Sequence, residues 1–406
     1  MSTVLYLVHR LPFPPNKGDK VRSYHLLRHL AARHRVFVGT FIDNPEDECY
    51  IEPLRALCAG LYVARLAPGR ARLRSLRGLV LGEALSLAYY RDAGLRSWVN
   101  ATVREQKIDS AVVFSSAMAQ YLDGIPRLRA LVDCVDVDSA KWTQFASSRA
   151  WPLSWLYRRE GKRLLEYECI AAARSVKAFF VTDAEVELFR RLAPQCAGKI
   201  EAVGNGVDSE YFSPGHEFDS PFPPGEIPVV FTGAMDYWPN IDAVTWFASE
   251  ILPALRKRYP QLRFYVVGMH PAPGVVALAG EAVVVTGKVP DVRPYLRHCK
   301  LVVAPLRAAR GVQNKILEAM AMARPIVASQ ACALGIDATA GRHFETASDS
   351  SSFIESSVEL LEEPQRAAAM GAAARECVLA RYSWDARLAR IDHYLDAPED
   401  RRANAA

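Results

Sequence analysis

The stretch richest in chemistry runs from Pro305 to Ser329, and its centre is Gly311-Val312-Gln313-Asn314-Lys315, with Glu318 one turn on. An apolar run ends at Ala304, a loop reaches Gly311, and helical spacing begins near Val312. The first N–H groups of a helix have no partner within it and carry partial positive charge, so such a start can hold a diphosphate. Gly311 permits close approach of the backbone. Asn314 and Glu318 are four apart and Lys315 and Glu318 three apart, so all three share one helical face. Lys315 is placed to neutralise phosphate oxygens, and the carboxylate behind it suits the paired hydroxyls of a ribose. The plainer alternative is a solvated ion pair beside a turn.

Other candidates follow other runs. Asp133, Asp136 and Asp138 come at and after the apolar run Ala130–Val135. Such acids can bond sugar hydroxyls, help to deprotonate an acceptor or hold a metal; capping of the next helix, with Ser139, is the structural alternative. Arg65, Arg70, Arg72, Arg74 and Arg77 have no acid among them, and Leu79, Val80, Leu81, Leu85 and Leu87 follow. Basic then apolar suits a membrane surface or a lipid diphosphate, against an ordinary solvated face. No aromatic–basic platform accompanies it, so nucleic acid is not expected. His9 and His25 read as structural, and Asn240 and Asp242 as caps of the helix that starts there.

These residues need elements to position them. With 406 residues, half of them hydrophobic, the chain is too long for one ordinary core, and two domains are expected. Val4–Val8 and Val36–Phe41 read as strands flanking a helix, the βαβ unit of a parallel sheet. Ala111–Phe114, Ala130–Val135 and Ala178–Val181 continue the sheet, with a helix over Tyr157–Ala173. Residues 214–228 hold five prolines and read as a linker. Strands then restart at Val229–Thr232, Phe264–Gly268, Val283–Thr286, Leu301–Ala304 and Pro325–Ser329. Helices are expected over Ile241–Arg258 and Leu317–Ala323, and after Tyr382. The fold class is therefore α/β, two doubly wound Rossmann-like domains, with divisions at 1–212, 213–382 and 383–406.

Charge divides unevenly between them. Residues 1–212 carry 30 Lys+Arg against 23 Asp+Glu, and the remainder 20 against 22, so an anionic partner is expected at the first domain. The eight cysteines form no CxxC and read as cytosolic thiols. The N-terminus lacks the pattern of a signal peptide, and the longest apolar candidate, Leu79–Tyr90, is broken by Glu83. A soluble cytoplasmic protein is expected, at most touching the inner face of a membrane.

The motifs together resemble the GT-B glycosyltransferases of family 4. They are the strand end with Gly311-x-x-Asn-Lys-x-x-Glu-Ala-Met-Ala, Asn205-Gly-Val-Asp-x-x-Tyr-Phe-x-Pro214, Thr286-Gly-Lys-Val-Pro-Asp-Val-Arg-Pro-Tyr-Leu296, Tyr382-Ser-Trp384 and the proline-rich Leu11–Tyr24. Within that family the chain is similar to sugar transferases of PEP-CTERM/exosortase and exopolysaccharide systems. The resemblance implies two Rossmann-like domains facing a cleft, with a C-terminal helix crossing back to the first. It implies a nucleotide sugar on the second domain, an acceptor on the first, and no metal or other cofactor. Glu318 would bind the donor ribose, and Gly287 and Val289 would present backbone to the base. Gly311, Val312 and Gln313 would face phosphates and sugar, with Gly18 opposite them in the first-domain loop; Gly233 and Asn314 complete the donor-binding set.

Three departures from the family pattern shape the catalytic expectation. Arg310 stands eight before Glu318, where the family usually has Glu. The segment Gly233–Asp242 lacks the family's cations, leaving Lys315, with Arg310 or Arg307, to meet the leaving group. Val132–Trp142 lacks the family's His and offers Asp136 and Asp138 instead. The activity implied is retaining, hexosyltransferase-type transfer to a lipid-linked glycan. A nucleotide-sugar epimerase and a non-catalytic sugar- or membrane-binding scaffold are the rivals. A nicotinamide dehydrogenase ranks below them, since no GxGxxG lies at a strand–helix junction.

Overall fold

The computed structural model describes residues 2–15, 18–125, 128–147, 149–307, 309 and 312–396. Contacts divide the chain into two units, one of residues up to Asn205 and from Arg387 on, the other Gly206–Ala386. The division falls before Phe212 because Val207 leaves the first sheet and bridges to Ser383, donating its N–H to Tyr382 O at 2.7 Å.

The first unit holds a seven-stranded parallel sheet: β1 (Thr3–Val8), β2 (Arg35–Ile42), β3 (Gly60–Arg65), β4 (Ser110–Phe114), β5 (Arg129–Val135), β6 (Lys177–Phe180) and β7 (Ile200–Ala202). The order is β3-β2-β1-β4-β5-β6-β7, so the winding reverses between β1 and β4. Val4 to Val8 are all buried, the unbroken apolar run of a strand covered on both faces. The helices that concern the site are α1 (Gly18–Arg33), α2 (Pro68–Ser75), α3 (Arg77–Leu81), α4 (Leu85–Tyr89), α5 (Asp138–Ser147) and α6 (Leu153–Arg174). A buried ion pair ties α1 to β5: Arg22 Nε donates to Asp133 Oδ2 at 2.8 Å, and Arg22 Nη1 to Asn205 Oδ1 at 3.1 Å.

The second unit repeats the plan with β8 (Ile227–Thr232), β9 (Leu262–Val267), β10 (Val283–Gly287), β11 (Leu301–Ala304), β12 (Ile326–Ser329) and β13 (Glu345–Ala347). All pairs are parallel, in the order β10-β9-β8-β11-β12-β13, reversing between β8 and β11. The expected helix Ile241–Arg258 is broken. Its first part is α7 (Trp238–Trp246); a π-helical turn, Phe247–Ile251, precedes the helix Leu252–Arg258. Pro253 explains the break, since it lacks an N–H and crowds the carbonyl four residues back. Further on come α8 (Asn314–Ala321) and α9 (Trp384–Asp396), which starts in the second unit and belongs to the first from Arg387. Among the described residues no helix is long and apolar enough to cross a membrane.

Candidate functional site

In the second unit the site is built where β8, β9 and β11 end. Gly233 and Gly268 follow β8 and β9 and pack backbone to backbone: a Cβ on Gly268 would lie 1.6 Å from Gly233 O. A Cβ on Gly233 would lie 2.8 Å from Asn240 Nδ2 and 3.2 Å from Lys315 Nζ. Only glycine leaves room for that amide and ammonium.

Lys315 sits in the first turn of α8 and reaches back to the β8 loop. Its Nζ donates to Asn240 Oδ1 at 2.5 Å and lies 4.1 Å from the centroid of the Phe231 ring. Asn240 is buried, and its Nδ2 donates to Ala234 O at 2.8 Å, which fixes the amide so that the oxygen faces the lysine. Burial pulls the Lys315 ammonium down to about 8, opposed by neighbouring Cys332 and Glu318. Burial also pushes the Glu318 carboxyl up to about 7, against the pull of Lys315. Both groups thus change charge near neutrality, a property that concentrates at ligand sites. The cap residue of α8, Gln313, makes no side-chain capping bond to it, so the leading N–H groups of the helix can serve a phosphate.

The remaining candidates separate. Val312 is exposed, and Asn314 opens α8 and adjoins Lys315 in the chain. Gly287 closes β10 with φ +66, a left-handed conformation that favours glycine, and Val289 packs half-buried on the core beside it. Arg310 and Gly311 lie outside the described residues. Arg307, a reserve cation in the sequence reading, is exposed and committed to Asp242, with Nε 2.9 Å from Oδ2. The expected capping by Asn240 and Asp242 is corrected: the cap of α7 is Tyr237, and these two side chains serve Lys315 and Arg307 instead.

In the first unit Gly18 opens α1. Asp133 is held inward by Arg22 and is unavailable to a ligand. Asp136 and Asp138 turn outward and share Lys141, whose Nζ donates at 2.7 and 3.1 Å. Arg65 pairs with Glu48 at 2.9 Å, whereas Arg70, Arg72, Arg74 and Arg77 are exposed along α2 and α3. His9, at the end of β1, stacks on Phe114, and its Nε2 lies 3.6 Å from Asp19, whose carboxyl it helps to hold well below the usual range. Among the described residues no group of three or more His, Cys, Asp or Glu could hold a metal ion.

Residues 226–363 match the sequence family described as glycosyl transferases group 1. The fold is GT-B, and the matched stretch of the second unit carries the pattern of group 1 glycosyl transferases. The match covers β8 to the helix following β13, and so the Gly233, Lys315 and Glu318 cluster. No curated protein matches in sequence. Solved structures share the fold over almost the whole chain. Sucrose-phosphate synthase of Thermosynechococcus elongatus is similar at 17% identity, with 98% of each chain covered and a TM-score of 0.60. Anabaena HepE in complex with UDP is similar at 16% identity, with 98% of this chain and 100% of that one covered and a TM-score of 0.59. WaaG, a glycosyltransferase of lipopolysaccharide biosynthesis, is similar at 16% identity, with 97% and 100% covered and a TM-score of 0.58.

Asn240 is the residue whose partner sequence reasoning missed. The available signal was that Gly233–Asp242 holds no cation of its own, and Lys315 reaches it from α8.

Proposed function

We propose that this protein is a glycosyltransferase that moves a sugar, with retention, from a nucleotide-sugar donor on its second unit to a hydroxyl of a lipid-linked glycan held by its first. The biosynthetic setting proposed is exopolysaccharide assembly of the PEP-CTERM/exosortase type, at the cytoplasmic face of a membrane. The observation that carries the reading is the Lys315 ammonium, brought by α8 to the cation-free β8 loop and fixed there by Asn240 and the Phe231 ring. The UDP and UDP-glucose complexes of HepE support a donor of that class.

In this reading the leading N–H groups of α8 and Lys315 meet the departing diphosphate as charge develops on it. Glu318, once ionised, accepts from ribose hydroxyls; Gly287 and Val289 present backbone to the base. Val312, Gln313 and Asn314 complete the donor surroundings, and Gly18, Arg310 and Gly311 are assigned to the donor from sequence alone. Asp136 and Asp138 orient the acceptor hydroxyl, their charge tempered by Lys141. The exposed Arg70, Arg72, Arg74 and Arg77 meet an anionic lipid surface.

The test is a thermal-shift screen against UDP-, GDP-, ADP- and dTDP-sugars, followed by donor turnover. One donor should raise the melting temperature, and Lys315→Ala should lower its turnover by about 10²-fold, the scale of one preorganised charge. No shift with any donor, or full turnover by the variant, contradicts the reading.

A further inference from the structure

Doubly wound sheets bind ligands at the carboxyl ends of their strands, where the strand order reverses. In the first unit that point lies between β1 and β4, and a cavity of about 750 Å³ opens there. Its lining includes Ser115, just after β4, and Val135, which ends β5, with φ of +76° and +67°. A β-branched residue in that conformation is strained, and such strain persists where the surroundings over-determine it. Here they do: Asp133 Oδ1 accepts from Val135 N at 3.2 Å and Glu185 Oε2 from Val137 N at 2.7 Å.

The cavity has two kinds of wall. At the strand ends Asp136, Asp138 and Lys141 border it. Away from them it is lined by Leu76, Leu85, Trp142, Phe145, Leu153 and Leu156, from α2–α4, α5 and α6. The apolar wall is anchored, because the buried Glu160 carboxylate accepts from Leu85 N at 2.6 Å, Ser86 N at 2.9 Å and Ser86 Oγ at 2.7 Å. Ser139 Oγ likewise donates to the buried Glu168 at 2.5 Å, joining α5 to α6. Yet Leu76, Phe145 and Leu153 remain 45%, 53% and 45% exposed within this fixed frame. The exposed Arg72 also borders the cavity, with Arg70 and Arg74 on the same helix.

We propose that this cavity binds the apolar chain of the acceptor's lipid carrier, with the carrier phosphate at Arg72 and the glycan toward Asp136 and Asp138. The proposal rests on the reading of a lipid-linked acceptor and deepens it. A bare sugar gives no use to the exposed Phe145, Leu153 and Leu76, and a neutral apolar molecule gives none to Arg72. An amphipathic phosphate uses both.

Calorimetric titration of the full chain with butyl, octyl and dodecyl phosphate, without donor, tests it. Inorganic phosphate, dodecyl maltoside and anionic phospholipid vesicles are the comparison arms. Affinity should rise by about two- to fourfold per methylene, the fold equivalent of burying one such group. Phe145→Ser and Leu153→Ser should flatten that dependence, and Arg72→Gln should weaken the phosphates while leaving dodecyl maltoside unchanged. Each variant should keep the parent melting temperature and donor thermal shift, which marks it as folded. Affinity independent of chain length, or variants that bind vesicles less while retaining the full chain-length dependence, overturns the proposal. Chain-length-dependent binding without any sugar transfer would leave the cavity assigned and refute the proposed function instead.

Discussion

Replacing Asn240 with Asp puts a carboxylate where Lys315 Nζ now meets a neutral oxygen at 2.5 Å. The parent contact stabilises the ammonium without cancelling its charge. A carboxylate there forms an ion pair worth about 4 kcal/mol at 4 Å and an effective dielectric of 20. Relaxation and solvent reduce this to about 1.5–3 kcal/mol, the range for hydrogen bonds to charged groups. Each 1.36 kcal/mol is one pKa unit, so the Lys315 ammonium rises from about 8 to roughly 9–10. The alkaline limb of kcat/KM, which reports the free enzyme, should move up by about one to two pH units. The plateau at pH 7 should meanwhile fall by roughly 10- to 100-fold, because the new carboxylate offsets the charge presented to the diphosphate. Asn240→Ala removes an acceptor from the charged form, so its limb should move the opposite way, below pH 8. Steady-state kinetics with saturating acceptor across pH 6–10 read both shifts. If the two variants move the limb together, or leave it in place, Asn240 does not govern Lys315.

Three further outcomes follow from the same geometry. Glu318, raised to about 7 by burial, holds a proton in the folded state that the unfolded chain loses near its ordinary 4.5. Stability therefore falls as pH rises through that window, and Glu318→Gln should gain about 1–2 kcal/mol over the parent at pH 8 while losing donor affinity, seen in paired denaturant melts at pH 5 and 8. Gly268→Ala drives a methyl into Gly233 O, so turnover should fall on the order of 10²-fold with the far-ultraviolet spectrum retained; normal turnover contradicts the packing of the two strand ends. Asp133→Ala leaves Arg22 buried without its carboxylate, costing about 3–5 kcal/mol in a denaturant melt, and near-parental stability refutes the buried pair.

The inner strands were legible because burial on both faces writes them as unbroken apolar runs, as in Val4–Val8 and Leu301–Ala304. The strands β3, β7 and β13 were not. They lie at the edges of their sheets, two have three residues, and β3 has only Ala64 fully buried. Arg65 reads in sequence as the start of a basic run, whereas it closes β3 and pairs with Glu48. Lys315 and Glu318 could be read because one helical face holds both. Asn240 lies 75 residues from Lys315, a pairing that no local spacing encodes. The first-unit cavity was hidden for the same reason: its walls come from α2–α6, and only their assembly leaves Phe145, Leu153 and Leu76 around one space.

The helix α9 gives the chain an unusual order of assembly. His29 Nε2 lies 2.9 Å from Asp392, Arg129 Nη2 donates to Tyr394 O at 2.9 Å, and Arg390 meets Glu201 at 2.7 Å. These partners of the first sheet's helices and strands leave the ribosome only after all of Gly206–Ala386. Domains generally fold as units during synthesis, the N-terminal one first, but here the unit begun first is finished last. The second unit can close while the first still waits for its final helix, so a release of the chain before Arg387 would leave a complete second unit joined to an incomplete first.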